Sequence, residues 1–400
     1  MNVPELSASR LLLSGARIVL ASRTTGAADL LVEDGRIARL AESPTRLDAG
    51  GGATLNLDGL TLFPGFIDTH IHGALGIDTM EASADELHRV ALFLAASGVT
   101  AWLPTLVPSP EEDYSRAARV IEHLMREQDE RPAAARVLGL HYEGPFINGE
   151  CCGALRPAYF RTYTRAEALD ALAVIDNAQA ARMMTVAPEI AGGIELLREL
   201  RERGWIVAIG HTQAAFDVLE RAREAGARHM THFMNAMSPL HQRAPGPIGW
   251  GLLSDDVTCD IIADGIHLDQ AVLRLLLRSK TPARLSLISD AVAPAGLGDG
   301  RYGVWGETIT VTNGRTSNAQ GSIAGSVIMM REAVWMMLSL GVMEWDAALM
   351  AAGNPARLLG VADDYGSIEE GKRADLAALD AAGRVRLTLV GGRIAFNSIS

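Results

Sequence analysis

Eight short apolar runs, most of them followed by a loop and then by helical signals, constrain this chain's fold more than any other feature. They lie at 62–68, 99–103, 137–141, 184–188, 206–210, 229–231, 258–262 and 285–289. Apolar runs of this length alternating with helices form parallel strands joined by crossover helices. The helix punctuation is explicit. Ser109-Pro110-Glu111-Glu112 reads as an N-cap serine, a proline at the first helical position and a glutamate three residues beyond the cap. In an earlier helix Leu87, Val90 and Leu94 share one face, and Gly98 stands where a C-cap would end it. Gly204 and Gly226 close two later helices in the same way. Eight such units predict an α/β fold, a (β/α)8 TIM-like barrel, with functional side chains at the C-terminal ends of its strands.

Both chain ends read differently. Residues 11–22 and 28–40 are rich in β-formers around an Asp34-Gly35 turn, and 53–57 closes on Asp58-Gly59. The tail repeats the pattern at 375–379, 384–390 and 393–396, with a Gly391-Gly392 turn. The expected organisation is a barrel over 62–364 and a small β-sandwich built from 1–61 and 365–400.

Four hundred residues suit one barrel with such a module and can bury a core without disulfides. A formal net charge of −12 excludes an extended nucleic-acid or anionic-membrane surface, though not a small anionic substrate. Of three cysteines, Cys151 and Cys152 are adjacent and poorly placed for a cross-link, which points to a reducing compartment. Residues 1–6 lack the basic and apolar regions of a signal peptide, and no apolar run is long enough to span a bilayer. The expected location is cytoplasmic.

Polar residues directly after the strands should converge on one mouth. Strand one ends in Asp68-Thr69-His70-Ile71-His72, where alternate residues of an extended segment point the same way. Strand three ends at Glu143, strand five at Gly210-His211, strand six at Thr231-His232, strand seven at Asp264-Gly265-Ile266-His267 and strand eight at Ser289-Asp290. One histidine at a strand end is ordinarily a hydrogen-bonded loop residue. Five histidines and two carboxylates at one rim form a metal site. Imidazole and carboxylate donors without a thiolate point to a divalent ion, zinc first, with iron, manganese or cobalt as alternatives the donor set does not separate. Such an ion activates water and polarises a carbonyl, and Asp290 can shuttle the proton, the requirements of amide hydrolysis.

The whole pattern resembles the amidohydrolase superfamily and, more closely, the N-acetylglucosamine-6-phosphate deacetylase family. The resemblance rests on PGFIDTHIHG at 64–73, GLHYEGPFIN at 139–148, IGHT at 209–212, THFMNAM at 231–237 and RAPGPIG at 243–249. DGIHLD at 264–269, SDAVAPAG at 289–296, IAGS at 323–326 and NPARLLG at 354–360 extend it, and GSIEEGKRADLAALD at 366–380 is shared more widely. It implies that Glu143, His211 and His232 hold the main ion, and that His70 and His72 hold a second one with Glu143 shared, where a second is present. It implies Asp290 as the catalytic acid and base, and Asn235, Ala236, Arg243 and His267 as substrate contacts. Ile323, Ala324 and Gly325 match a segment that closes over the sugar. The counterpart of Arg243 reaches a neighbouring subunit in the family, so a homodimer is expected, acting on a phosphorylated amino sugar.

The loop after Glu143 departs from the family. Gly153-Ala154-Leu155 stands where a glycine, a small residue and a substrate-touching histidine are usual, and His241-Gln242-Arg243 replaces His-His-Arg. Leucine donates no hydrogen bond, so the contact is either lost or supplied by another group, with neighbouring Arg156 the candidate. The expected reaction is deacetylation of N-acetylglucosamine 6-phosphate. The galactosamine epimer, an N-acyl amino acid or a barrel without catalysis remain as alternatives. Other features carry no chemistry. His88 and His123 should be solvated, His229 structural, and His141 a supporting residue. Cys151 and Cys152 should be free thiols, and Met183-Met184 and Met329-Met330 core filler. Arg198 with Glu202, and Glu199 with Arg203, have the spacing of helical ion pairs.

Overall fold

A computed structural model describes residues 10–399, apart from 165, 171, 173 and 174. The leader-free reading of residues 1–6 lies outside them. Eight parallel strands form the barrel in chain order: Phe66–Ile71, Val99–Leu106, Gly139–Glu143, Ala181–Val186, Ile206–Ile209, His229–Met230, Thr258–Ile262 and Leu285–Ile288. They are called strands one to eight below. The seam between strands eight and one closes at the end of strand one, just beyond the last residue of strand eight. There Ile71 bridges Ala291, and the His72 amide donates to the Ala291 carbonyl at 2.8 Å. Asp68 ties the same seam deeper down, accepting from the Ser289 hydroxyl at 2.5 Å and the Ser289 amide at 3.2 Å.

The second sheet joins both chain ends. Its order runs Arg393–Asn397, Val385–Val390, Leu376–Leu379, Thr61–Pro64, Arg10–Val19, Thr24–Glu33 and Arg36–Glu42, with Ala53–Asn56 paired parallel to Arg10–Val19. Leu13, Ile18, Leu30, Ile37, Leu57, Leu62, Leu376 and Leu389 fill its own core. The run read as one barrel strand at 62–68 is two strands in different sheets. Gly65 is the break: a Cβ there would lie 2.2 Å from the Thr100 side chain, so only glycine lets the chain cross so close to strand two.

The helices follow the sequence signals with local corrections. Ala84–Ala95 starts with a Ser83–Glu86 capping box and fully buries Leu87, Val90 and Leu94 against the barrel. The helix Glu111–Glu127 starts one residue later than read, with Pro110 in place of Ser109 at the cap position and no side-chain cap. Ser109 is buried, and its hydroxyl accepts from Arg156 at 3.0 Å instead. Glu199 pairs with Arg203 at 2.7 Å, whereas Arg198 turns to Glu195 at 3.7 Å rather than to Glu202. His123 is exposed but His88 is half-buried. Met183, Met184, Met329 and Met330 are all core residues. Inside the barrel Ile67, Ala101, Leu103, Met183 and Ala208 pack with Ala356 and Leu359 into an apolar layer. Above it the interior becomes polar. Among the described residues, no helix is long and apolar enough to cross a membrane.

Candidate metal centre

Three of the site residues stand two places beyond the last residue of a strand: His211 after Ile209, His232 after Met230 and Asp290 after Ile288. All three have left-handed backbone, with φ of 49°, 31° and 49°. Non-glycine residues rarely adopt this region, and such strain collects where a site demands one side-chain direction. The sharp turn aims each side chain back over the barrel axis as the chain leaves the strand.

The side chains meet around Glu143. Its Oε1 lies 2.9 Å from His211 Nε2 and 3.0 Å from His232 Nε2, and those two nitrogens are 3.1 Å apart. On the other side, His72 Nε2 lies 3.3 Å from Glu143 Oε2, and His70 Nε2 is 3.1 Å from His72 Nε2. Asp290 Oδ1 is 3.3 Å from His72 Nε2 and 3.5 Å from His70 Nε2. Two triads can each hold an ion, His70–His72–Glu143 and Glu143–His211–His232, with the glutamate common to both.

The electrostatics fit a cation. Both carboxylates are buried, and no lysine or arginine is among the described residues lining the cavity above them. Burial alone would raise Glu143, but the His70, His211 and His232 rings hold it well below the usual carboxylate range. Burial would also raise Asp290, and His70 and His72 outweigh that. Burial would depress His72, yet Asp290 and Glu143 push it up to about 10. The carboxylates therefore demand positive charge at this point. Four imidazoles and a shared carboxylate meet that demand best by coordinating a divalent ion.

Surrounding groups orient the donors. His211 Nδ1 donates to the Cys151 carbonyl at 2.8 Å, which turns its Nε2 lone pair toward Glu143. Glu189 ties the flanking loops together. It accepts from Asn148 at 2.8 Å, from the Thr212 hydroxyl at 2.6 Å and from the Gln213 amide at 2.9 Å. The His141 ring packs edge-on to His70 at 4.7 Å and hydrogen-bonds Thr185 at 2.8 Å. Burial depresses His141 well below its ordinary value, so it is a neutral support. His229 bonds Thr258 at 2.7 Å, faces Asp260 at 2.8 Å and belongs to neither triad.

A family model described as the amidohydrolase family matches residues 61–395. The N-acetylgalactosamine-6-phosphate deacetylase of Escherichia coli O157:H7 is 35% identical over 367 residues, 92% of this chain and 94% of that protein. The N-acetylglucosamine-6-phosphate deacetylase of Bacillus subtilis (strain 168) is 36% identical over 343 residues, 84% of this chain and 85% of that protein. The chain belongs to the N-acetylglucosamine-6-phosphate deacetylase family of amidohydrolases. Its fold matches that of a solved family member from Mycobacterium smegmatis, in complex with N-acetyl-D-glucosamine-6-phosphate. The TM-score is 0.88 at 30% identity, covering 97% of this chain and 100% of that one.

A cavity of about 340 Å³ lies over the cluster. Ala154, Leu155, Asn235, Ala236, His267, Asp290, Ile323 and Gly325 line it with the metal triads' exposed edges. Asp264 accepts from His267 Nδ1 at 2.7 Å, which leaves the other ring nitrogen for the cavity. Three residues singled out from the sequence lie outside this lining. Arg243 is exposed and outside the cavity lining, on a loop where its amide donates to His241 at 3.3 Å. Ala324 is fully buried and packs with Val304 and Ile309 rather than facing the cavity. Arg156 points away, bonding Ser109 and the Pro108 carbonyl and stacking on Tyr159, so it does not replace the missing histidine. Trp305 and Ser322 also line the cavity and were not read from the sequence. Trp305 belongs to a small three-stranded sheet, and the turn dipeptides Trp305-Gly306 and Asn313-Gly314 are the sequence signals for it.

Proposed function

We propose that this chain hydrolyses the acetamide of N-acetylglucosamine 6-phosphate, releasing acetate and glucosamine 6-phosphate. The observation that carries the reading is the convergence of both His–Glu triads and Asp290 under one cavity whose other wall offers Asn235 and His267. The names of the relatives support the substrate class. Zinc is the proposed ion, held by Glu143, His211 and His232, with His70 and His72 available for a second. An ion held there supplies Lewis acidity, making a water acidic near neutral pH and drawing charge from the acetyl carbonyl.

The chain's own residues do the rest. Asp290, kept ionised by its neighbours, takes a proton as water oxygen attacks the carbonyl carbon. It then delivers a proton to the nitrogen as the C–N bond breaks, leaving acetate and a free amine. His267, oriented by Asp264, donates to a sugar hydroxyl, and Asn235 with the Ala236 backbone holds the phosphate side. A phosphate needs a fuller cationic partner than these offer. The exposed Arg243 is proposed to reach the site of a second copy, which makes the functional unit a homodimer. Three free cysteines support a reducing, cytoplasmic setting.

Acetate release from N-acetylglucosamine 6-phosphate by ion-replete protein tests the reading, with the galactosamine epimer and the unphosphorylated sugar alongside. Fast release from the glucosamine phosphate is expected. Release from none of them, with the ion bound, overturns it.

A further inference from the structure

We infer that Trp305 sets the length of the acyl group this site accepts, an inference that rests on the deacylase reading above. Trp305 and Gly306 form the two-residue turn of a hairpin whose strands, Gly300–Val304 and Glu307–Thr312, pair from Val304 and Glu307 outward. Both turn residues are left-handed, with φ of 52° and 78°. Glycine is at home there, but a residue of tryptophan's bulk is not, and such strain persists where the side chain has a duty. The indole packs edge-to-face on the His72 ring, with centroids 5.2 Å apart, and lines the cavity.

The rest of the hairpin holds it there. Val304 and Ile309 pack with Ala293 of the loop after strand eight and with Ala324, and Ala154 and Trp305 lie against the same cluster. The indole is therefore a fixed wall, braced on both sides.

The cavity is chemically two-sided. Asn235 and Ala236 follow strand six and His267 follows strand seven, and these supply the groups that can hold sugar hydroxyls and phosphate. Trp305 sits instead over His72 of strand one, with Ala154 and Leu155 of the strand-three loop completing an apolar side. The carbonyl carbon must lie where Asp290 and the imidazoles meet. With the nitrogen directed to the sugar side, the remaining substituent of that carbon, the methyl, is directed to the indole. Leucine at 155 then extends an apolar acyl wall instead of reading a polar atom.

The test compares wild-type, Trp305→Leu and Trp305→Ala on N-acetyl, N-propionyl and N-butyryl glucosamine 6-phosphate, with ion content measured for each. A second readout is calorimetric binding of acetate, propionate and butyrate to the ion-loaded proteins, which probes the acyl side without the sugar. The acetyl-to-butyryl ratio of kcat/KM should narrow by about tenfold or more in Trp305→Ala, with Trp305→Leu between. Butyrate should gain on acetate in the same order. An equal loss for every acyl length, with carboxylate preference unchanged, overturns the proposal and makes the indole a platform for the sugar ring. Binding of no carboxylate by any of the proteins also overturns it. If wild-type turns over none of the sugar phosphates, the substrate reading fails, and the carboxylate series alone still decides whether Trp305 bounds the acyl side.

Discussion

The backbone carbonyl of Cys151 accepts a hydrogen bond from His211 Nδ1 at 2.8 Å. The thiol takes no part in it. Cys151→Ala should therefore keep ion content and kcat/KM within about twofold of wild-type, because the oriented ring depends on main chain only. Metal analysis and steady-state kinetics check this, and a lost ion would show that the side chain matters.

Glu189 fixes the loops on which that carbonyl and His211 sit. Removing it in Glu189→Ala frees Asn148, Thr212 and the Gln213 amide together. Ion affinity should fall about 10- to 100-fold, the usual cost of losing a group that orients a ligand. Competition with a chromophoric chelator measures it. Unchanged affinity would mean the loops hold their shape without the carboxylate.

Asp290 lies beside the imidazoles but outside both triads. Asp290→Asn should retain the ion while kcat drops about 10²- to 10⁴-fold, the range for a lost general acid and base. Loss of the ion in this variant would reassign Asp290 to binding.

An ion that binds only the folded chain stabilises it by about 2.7 kcal/mol at a hundredfold excess over Kd. Chelation should accordingly lower Tm, and the shift should vanish in Glu143→Gln, which removes the carboxylate common to both triads. An equal chelator effect in that variant would place the bound ion elsewhere.

Asp29 anchors the end sheet. Its buried carboxylate accepts from the Ser14 hydroxyl at 2.9 Å, the Gly15 amide at 3.2 Å, Arg46 at 3.0 Å and the Leu47 amide at 3.1 Å. Burial raises its pKa, but these four donors outweigh it and leave it below the ordinary 3.8. The ionised group thus contributes stability that is fully present above the unfolded-state pKa and lost as pH falls through the folded one. Asp29→Ala should cost about 1–3 kcal/mol at neutral pH. The difference from wild-type should shrink below about pH 4. Denaturant melts at both pH values decide it; a constant difference would tie the loss to packing.

How much of this was legible beforehand follows from the range of the forces involved. Strand periodicity, helix caps and turn dipeptides act over a few residues, so the barrel, the β-rich ends and the strand-end placement of His70, His72, Glu143, His211, His232 and Asp290 could be read from sequence alone. Local pattern could not place the break at Gly65, because two short strands in different sheets look like one apolar run. The glycine's closeness to Thr100, thirty-five positions on, exists only after folding. For the same reason Ser109 gave a capping signal that Arg156 overrides across the structure.

Tertiary structure alone decided the left-handed turns at His211, His232 and Asp290, the service of a cysteine's carbonyl rather than its thiol, and the outward placement of Arg243. It alone brought the Trp305 hairpin over His72. Sequence determined which groups stand at the rim, since a strand end is a local event. Which of them share a cavity, and what walls that cavity, depends on contacts between segments far apart in the chain, and these form only when the barrel closes.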